Sequence, residues 1–159
     1  MKKTFAVYPG YFDPFTMGHL DVVTRATEVF DEVVVAVAKD SPKVSWFSFP
    51  ERFEMVSEIF RGKKNVKVDS FDGLLIEYMK KNNQRTLLRG LRTVSDFEYE
   101  FQMALANKTL DSHVETLFMM TDSKFSYLSS TLIREIARLG GDVSMMVPSV
   151  VGDNIKKKK

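Results

Sequence analysis

The residues best suited to chemistry in this chain stand in short groups, and every group carries donors for phosphate oxygens. In chain order the groups are Thr16, Gly18 and His19, then Lys43, then Arg89 and Arg92, and last Ser126, Ser129, Ser130 and Thr131. Guanidinium, ammonium and hydroxyl groups are common phosphate ligands in proteins, as are the free N–H groups at a helix start. Together these groups predict that the chain handles a polyphosphate.

The first group closes a turn between a predicted strand and a predicted helix. Residues 4–7 are apolar and predict a buried strand, after which Pro9 and Pro14 oppose regular structure. From Leu20 onward apolar residues recur with helical spacing. We therefore expect His19 at or near the first helical turn, beside backbone N–H groups that face an anion.

The pattern of apolar residues along the whole chain predicts strands that alternate with helices. Strands are predicted at 4–7, 33–38, 66–71, 86–88 and 116–120. Two capping-box patterns start helices, Ser48 with Glu51 and Ser95 with Glu98, and the second helix runs to about Leu110. This alternation predicts an α/β fold: a single doubly wound domain over 1–159 with a five-stranded parallel sheet. Residues 156–159, all lysine, are expected to form a frayed, disordered basic tail.

Composition narrows the functional classes. The net charge is +2 at neutral pH, which does not indicate a nucleic-acid or membrane partner. The chain has no cysteine, so disulfides and thiolate metal sites are excluded, as suits a cytoplasmic protein. No apolar run is long enough to span a bilayer.

Ligands of open α/β sheets bind outside the carboxyl ends of the strands. The phosphate-binding groups fall in the segments that follow four of the five predicted strands, so we expect them to meet at one edge. Arg89 and Arg92, with Gly90 between them, are placed to fork onto phosphate oxygens. The ligand predicted at this edge is a polyphosphate.

Several of these segments resemble a known enzyme family. The spacing of Tyr8–Pro14 and Thr16–His19 resembles the T/H-x-G-H nucleotidylyltransferase superfamily. Arg89–Arg92, Asp96–Glu100 and Ala104–Lys108 resemble one branch, the pantetheine-phosphate adenylyltransferases of coenzyme A synthesis. The likeness covers nearly the whole chain and implies a Rossmann-like nucleotidylyltransferase fold. It implies transfer of the adenylyl group of ATP to 4′-phosphopantetheine, which gives dephospho-coenzyme A and pyrophosphate.

The resemblance also implies residue roles, cofactor and assembly. It implies that His19, Lys43 and Arg92 are catalytic and that Tyr11, Lys43, Leu75 and Arg89 bind the acceptor substrate. The ATP-binding residues it implies are Tyr11, Phe12, His19, Gly90, Leu91, Arg92, Glu100, Phe125, Ser126, Tyr127, Leu128, Ser129, Ser130 and Thr131. It further implies Mg²⁺ beside the pyrophosphate without a dedicated metal site in the protein, feedback inhibition by coenzyme A, and a homohexamer built from two trimers. The acceptor phosphate is already ionised, so the implied mechanism is in-line attack without a protein general base.

One residue departs from the family pattern and leaves alternatives open. The family has serine or threonine where this chain has Tyr11, whose phenol cannot place its oxygen as a short side chain does. Either the Tyr11 and Phe12 N–H groups hold the phosphate, or the phosphate shifts, or activity is reduced. Thr131, where serine is common, keeps its hydroxyl.

Rival functions also stay open at this point. A sister enzyme acting on nicotinamide or nicotinate mononucleotide fits Ser129–Arg134 equally well, whereas the stretch Arg89–Glu100 favours phosphopantetheine. A nucleotide-binding regulator that has lost its chemistry at Tyr11 is the alternative from another class. The small net charge disfavours a nucleic-acid binder that uses the basic tail.

Overall fold

A computed structural model describes residues 3–40 and 44–158. Within them five strands alternate with α-helices. The elements are β1 (Phe5–Gly10), α1 (Met17–Ala26), β2 (Glu32–Ala38), α2 (Phe49–Ile59), β3 (Val66–Phe71), α3 (Leu75–Lys81), β4 (Thr86–Leu91), α4 (Val94–Leu110), β5 (Glu115–Met120), α5 (Ser130–Arg138) and α6 (Ser149–Lys158).

The strands form one parallel sheet in the order β3-β2-β1-β4-β5. The direction of winding reverses between β1 and β4, which is the switch point where α/β sheets bind ligands. These two strands pair only at Val7 and Leu87, whereas β1 stays in register with β2 from Phe5 to Gly10. The predicted α/β fold with a five-stranded parallel sheet is therefore confirmed.

Helices cover both faces of the sheet, as the continuous apolar character of β2 requires. Val33, Val35 and Val37 face one core cluster, which includes Val23 of α1 and Val56 of α2. The alternate residues Val34 and Ala36 face a second cluster with Ile76 and Met79 of α3. Packing on both faces holds the strands in place, and the carboxyl ends of the strands position the site.

Two strands run further than the sequence predicted. Pro9 and Gly10 were expected to end the first strand, but β1 continues through Gly10. Beyond Val7 the β4 side of β1 is unpaired, so proline is tolerated there as on an edge strand. Likewise Arg89 and Gly90 lie within β4, paired with Phe118 and Met119 of β5, and not in the loop after it.

Two helix starts also differ from prediction. Helix α4 is capped by Thr93, whose hydroxyl accepts the N–H of Asp96 at 3.2 Å, and not by Ser95. Helix α1 begins at Met17, before Leu20, because Thr16 caps it. The predicted capping box of Ser48 and Glu51 is confirmed.

The expected basic tail is wrong for 156–158, which continue α6. Val151 and Ile155 are buried in the core and extend the helix to its lysines, which suit the negative end of its dipole. The Lys158 ammonium donates to the Trp46 carbonyl at 2.6 Å and contacts the Glu51 carboxylate at 2.9 Å. No helix among the described residues is long and apolar enough to cross a membrane.

Candidate active site

A cleft of about 760 Å³ opens at the carboxyl ends of β1 and β4. Most of the predicted site residues line it: Tyr11, Phe12, His19, Leu75, Arg89, Gly90, Arg92, Glu100, Leu128, Ser129, Ser130 and Thr131. The cleft therefore brings together residues that are more than a hundred positions apart in the sequence.

The remaining predicted residues do not line the cleft or cannot be placed. The side chain of Leu91 is buried in the protein, and Phe125, Ser126 and Tyr127 lie in and after a short turn of 3₁₀-helix, outside the cleft lining. Lys43 falls outside the described residues, so its role stays a prediction.

The imidazole of His19 is held at the first turn of α1 by a reciprocal cap. Its Nδ1 accepts the Thr16 N–H at 3.0 Å, and the Thr16 hydroxyl accepts the His19 N–H at 3.2 Å. Because Nδ1 accepts a backbone proton, the proton of the neutral ring lies on Nε2. Nε2 is then a hydrogen-bond donor available to a ligand.

Three aromatic rings and two cations surround this imidazole. The ring centroids of Phe12 and Phe15 lie 5.2 Å from that of His19, and that of Tyr8 lies at 6.4 Å. Burial, followed by the charges of Arg92 and Arg89, lowers the pKa of His19 to about 3. At neutral pH His19 is therefore an uncharged donor in a fixed orientation.

The guanidinium of Arg92 joins β4 to the loop that precedes α5. It forks onto Asp96 at 2.9 and 3.0 Å and donates to the Leu128 carbonyl at 2.7 Å. Burial raises the pKa of Asp96, but the hydrogen bonds and charge of Arg92 outweigh it and the pKa is lowered. A guanidinium has five N–H groups, so Arg92 keeps N–H groups for an anion in the cleft.

The guanidinium of Arg89, like that of Arg92, is held by a carboxylate and a backbone carbonyl. It makes a bidentate pair with Glu100 at 2.6 and 2.7 Å and donates to the Pro9 carbonyl at 2.9 Å. Burial lowers the pKa of Arg89, but the hydrogen bonds and charge of Glu100 raise it by a larger amount, so the net shift is upward. Both oxygens of Glu100 are thus engaged by Arg89.

The N-terminus of α5 also lines the cleft. Ser129 caps the helix by accepting the Leu132 N–H at 3.0 Å, and the Ser130 hydroxyl donates to the Pro14 carbonyl at 2.8 Å. Within the described residues the N–H groups of Ser130 and Thr131 have no acceptor. Free N–H groups at a helix start are a binding site for phosphate oxygens.

Leu75 has two roles. It is the first residue of α3 and lines the cleft, and it also packs against the second core cluster beside Ile76. The leucine therefore offers an apolar surface at the end of the cleft nearest to β3.

Several polar residues of the site were not predicted from the sequence. Tyr8, Asp13, Asp96 and Arg134 line the cleft, and Arg52 lies buried near it. Asp13 stands inside the motif that was singled out, and Arg52 falls on the same helical stripe as Phe49 and Val56. A charged residue on an otherwise buried stripe is the signal that could have revealed Arg52.

The comparisons with known proteins agree with this geometry. The cytidylyltransferase-like family matches residues 7–136. A phosphopantetheine adenylyltransferase of Leptospira biflexa is 50% identical over 156 residues, which cover 98% of each chain. One from Caldanaerobacter subterraneus is 51% identical over 153 residues, 96% of each chain. The chain belongs to the phosphopantetheine adenylyltransferase family.

As a member of the phosphopantetheine adenylyltransferase family, the chain is a nucleotidyltransferase of coenzyme A biosynthesis. A solved structure of a candidate nicotinate-nucleotide adenylyltransferase from Vibrio parahaemolyticus aligns with a TM-score of 0.72. That alignment covers 98% of this chain and 99% of the other at 19% identity, so it supports the Rossmann-like fold alone. The resemblance to the phosphopantetheine adenylyltransferases predicted from the sequence is confirmed.

Proposed function

We propose that the chain transfers the adenylyl group of ATP to 4′-phosphopantetheine and releases dephospho-coenzyme A and pyrophosphate. The single observation that carries the proposal is that His19, Arg89, Arg92 and the α5 N-terminus all line one cleft at the switch point of the sheet. The relatives named phosphopantetheine adenylyltransferase, about half identical over nearly the full chain, support 4′-phosphopantetheine as the acceptor.

ATP is proposed to bind along β4 and α5. The free N–H groups of Ser130 and Thr131 and the remaining N–H groups of Arg92 would hold its phosphates. Gly90, which the resemblance also implies at ATP, lines the cleft beside Arg89 and Arg92.

The acceptor is proposed to bind on the β1 side of the cleft. Arg89 keeps N–H groups for its phosphate, Leu75 offers apolar surface to its pantetheine arm, and Lys43 is expected to add a cation. Tyr11 is 44% exposed, and its N–H and that of Phe12 have no acceptor within the described residues. Of the three alternatives left open for Tyr11, we therefore propose that these backbone groups hold the acceptor phosphate. The resemblance implied Tyr11 and Phe12 as ATP ligands, and we propose that the acceptor takes these two N–H groups instead.

The proposed chemistry is in-line attack by an acceptor phosphate oxygen on the α-phosphorus of ATP. This nucleophile is ionised at neutral pH, so the step needs no protein general base. Catalysis then consists of positioning the two substrates and stabilising charge on the phosphorus. His19 Nε2–H supplies an uncharged donor, and Arg92 supplies a cation.

Magnesium is proposed as the cofactor. No group of three or more His, Cys, Asp or Glu side chains that could hold a metal lies among residues 3–40 and 44–158. That fits an ion held mainly by phosphate oxygens and water, as Mg²⁺ commonly is at nucleotides. The ion would neutralise charge on the pyrophosphate.

We further propose a homohexamer built from two trimers, located in the cytoplasm and inhibited by coenzyme A. Support for assembly comes from α4, in which Asn107 is the only buried residue. Its exposed apolar residues continue onto β5: Val94, Phe97, Tyr99, Phe101, Met103, Leu105, Leu110, Leu117 and Met120. Coenzyme A contains the product, so it would compete for the same cleft.

Pyrophosphate release tests the function directly. The chain is incubated with ATP and Mg²⁺ plus 4′-phosphopantetheine, nicotinamide mononucleotide or nicotinate mononucleotide, and release is measured. We expect release with 4′-phosphopantetheine only. Release with a mononucleotide would assign the sister activity, and ATP binding without release in any mixture would favour the regulator.

A further inference from the structure

The guanidinium of Arg52 joins three segments at the carboxyl edge of the sheet. Its side chain is 1% exposed and donates to the Tyr11 carbonyl at 2.6 Å and to the Ala38 carbonyl at 2.9 Å. Further bonds reach the Lys39 carbonyl at 3.1 Å and the Phe47 carbonyl at 3.3 Å. A buried charge is tolerated only with such partners, so the end of β2, the turn before α2 and the loop after β1 are fixed to one another.

Asp13 fixes the same loop at a second point. Its carboxylate accepts the N–H groups of Trp46 and Phe47, each at 2.8 Å. Its carbonyl accepts from Arg134 of α5 at 2.5 Å. The loop after β1 is therefore held on both sides of Phe12.

The hydrogen bond from Arg52 determines the direction of one peptide group. The Tyr11 carbonyl and the Phe12 N–H belong to the same trans peptide, so they point in opposite directions. Because Arg52 holds the carbonyl, the N–H points away from Arg52. Phe12 has φ of 53°, in the left-handed region that non-glycine residues seldom adopt, so this orientation depends on its partners.

The Phe12 N–H is free to bind a ligand. It donates to no acceptor among the described residues, and both Tyr11 and Phe12 line the cleft. A buried or half-buried backbone N–H without a partner is unusual in a folded protein. An anion in the cleft would satisfy it.

We propose that Arg52 is a positioning residue for the acceptor, because it turns the Phe12 N–H toward the acceptor phosphate. This inference rests on the proposed adenylyl transfer and names one determinant of its acceptor site. Arg52 acts through the Tyr11 carbonyl and does not itself contact substrate.

The kinetic test compares Arg52→Lys with Arg61→Lys, a control on the exposed segment after α2. An ammonium donates at most three hydrogen bonds and lacks the fork, so the peptide loses its fixed direction. We expect the KM for 4′-phosphopantetheine to rise about tenfold or more in Arg52→Lys, the effect of weakening a charge-assisted hydrogen bond. The KM for ATP and kcat stay close to wild type, and Arg61→Lys changes neither KM. An unchanged acceptor KM, or a parallel change in both KM values and kcat, overturns the inference.

A second measurement uses the wild-type chain and does not depend on how the variant folds. Tyr11–Phe12 is the only Tyr–Phe pair in the sequence. Labelling tyrosine with ¹³C at the carbonyl and phenylalanine with ¹⁵N therefore isolates the Phe12 amide in a spectrum that detects only ¹³C–¹⁵N bonded pairs. We expect its resonance to move on addition of 4′-phosphopantetheine, and an unmoved resonance at saturating acceptor overturns the inference.

The two proposals fail in different ways. If the wild-type chain releases pyrophosphate with 4′-phosphopantetheine but the Phe12 amide does not respond, the role of Arg52 is wrong and the proposed function stands. If the wild-type chain releases none with this acceptor, the proposed function is wrong and the role of Arg52 falls with it.

Discussion

Nδ1 of His19 accepts the backbone N–H of Thr16 at 3.0 Å, so one ring nitrogen serves the helix cap and the other is left for the cleft. The same contact sets the tautomer and the ring orientation. A residue that starts a helix thus also prepares a donor for the reaction.

Replacing His19 by alanine removes the Nε2–H donor. We expect kcat to fall by ~10²–10³, the usual effect of losing one preorganised donor. Steady-state pyrophosphate release measures the change, and circular dichroism checks the fold. His113→Ala is the matched control because His113 lies outside the cleft. Near-normal turnover in His19→Ala would contradict the proposed role.

The lowered pKa of His19 makes stability depend on pH. The ring titrates near 6.5 when unfolded and near 3 when folded, so between these values the unfolded chain binds the extra proton. The contribution of His19 to the free energy of unfolding is therefore complete above pH 6.5 and is lost as pH falls toward 3. Denaturant unfolding at pH 7 and pH 5 measures the loss, and His19→Asn should lose less over the same interval. Equal losses in both proteins would contradict the shift.

Replacing Arg92 by lysine keeps the charge and removes the fork. The ammonium cannot hold Asp96, the Leu128 carbonyl and an anion together, so the β4 end and the loop before α5 lose their connection. We expect a higher KM for ATP together with a lower kcat, each by about tenfold. Arg138→Lys, on the last turn of α5 and outside the main cleft, is the control. Wild-type values for both constants would show that charge alone is sufficient.

The apolar residues of α4 are expected to be buried between subunits. Phe101→Glu and Leu105→Glu place a charge on this face and should shift the assembly to smaller species, because burying an unpaired charge is costly. Sedimentation velocity measures the mass distribution. Leu139→Glu adds the same charge at the exposed C-terminal cap of α5 and should leave the assembly unchanged. Identical distributions for all three variants would contradict the assignment of this face.

The sequence predicted most strands and the phosphate-binding donors of the cleft because both follow from local patterns, whereas Phe12, Glu100 and Leu128 were implied only by the family resemblance. The β-branched run of β2 can be buried only as a central strand, and donors that follow parallel strands must meet at one edge. Where Arg89 sits could not be predicted, because β4 extends through pairing with β5, a contact distant in sequence. The predicted start of α4 at Ser95 was wrong because Thr93 is also a good cap residue, and tertiary position selected Thr93.

The role of Arg52 lay beyond sequence patterns for a similar reason. Its four acceptors are backbone carbonyls, and carbonyls carry no residue identity that a motif could display. The prediction of a disordered tail was wrong at 156–158 because it considered only the run of four lysines. The preceding residues Val151 and Ile155 form a short buried stripe that keeps this segment helical. Lys43 lies between the two described ranges, so its role stays a prediction.

The sheet is joined across its centre by one matched pair, Val7 with Leu87. The sheet therefore has two parts with extensive internal pairing, β3-β2-β1 and β4-β5, and these parts pair with each other only over a short length. Phe12, proposed to bind the acceptor, follows β1, and Arg92, proposed to bind ATP, follows β4, so the two bound substrates together would link the two parts of the sheet. Binding of both substrates is therefore expected to stabilise the sheet at the place where its strand pairing is shortest.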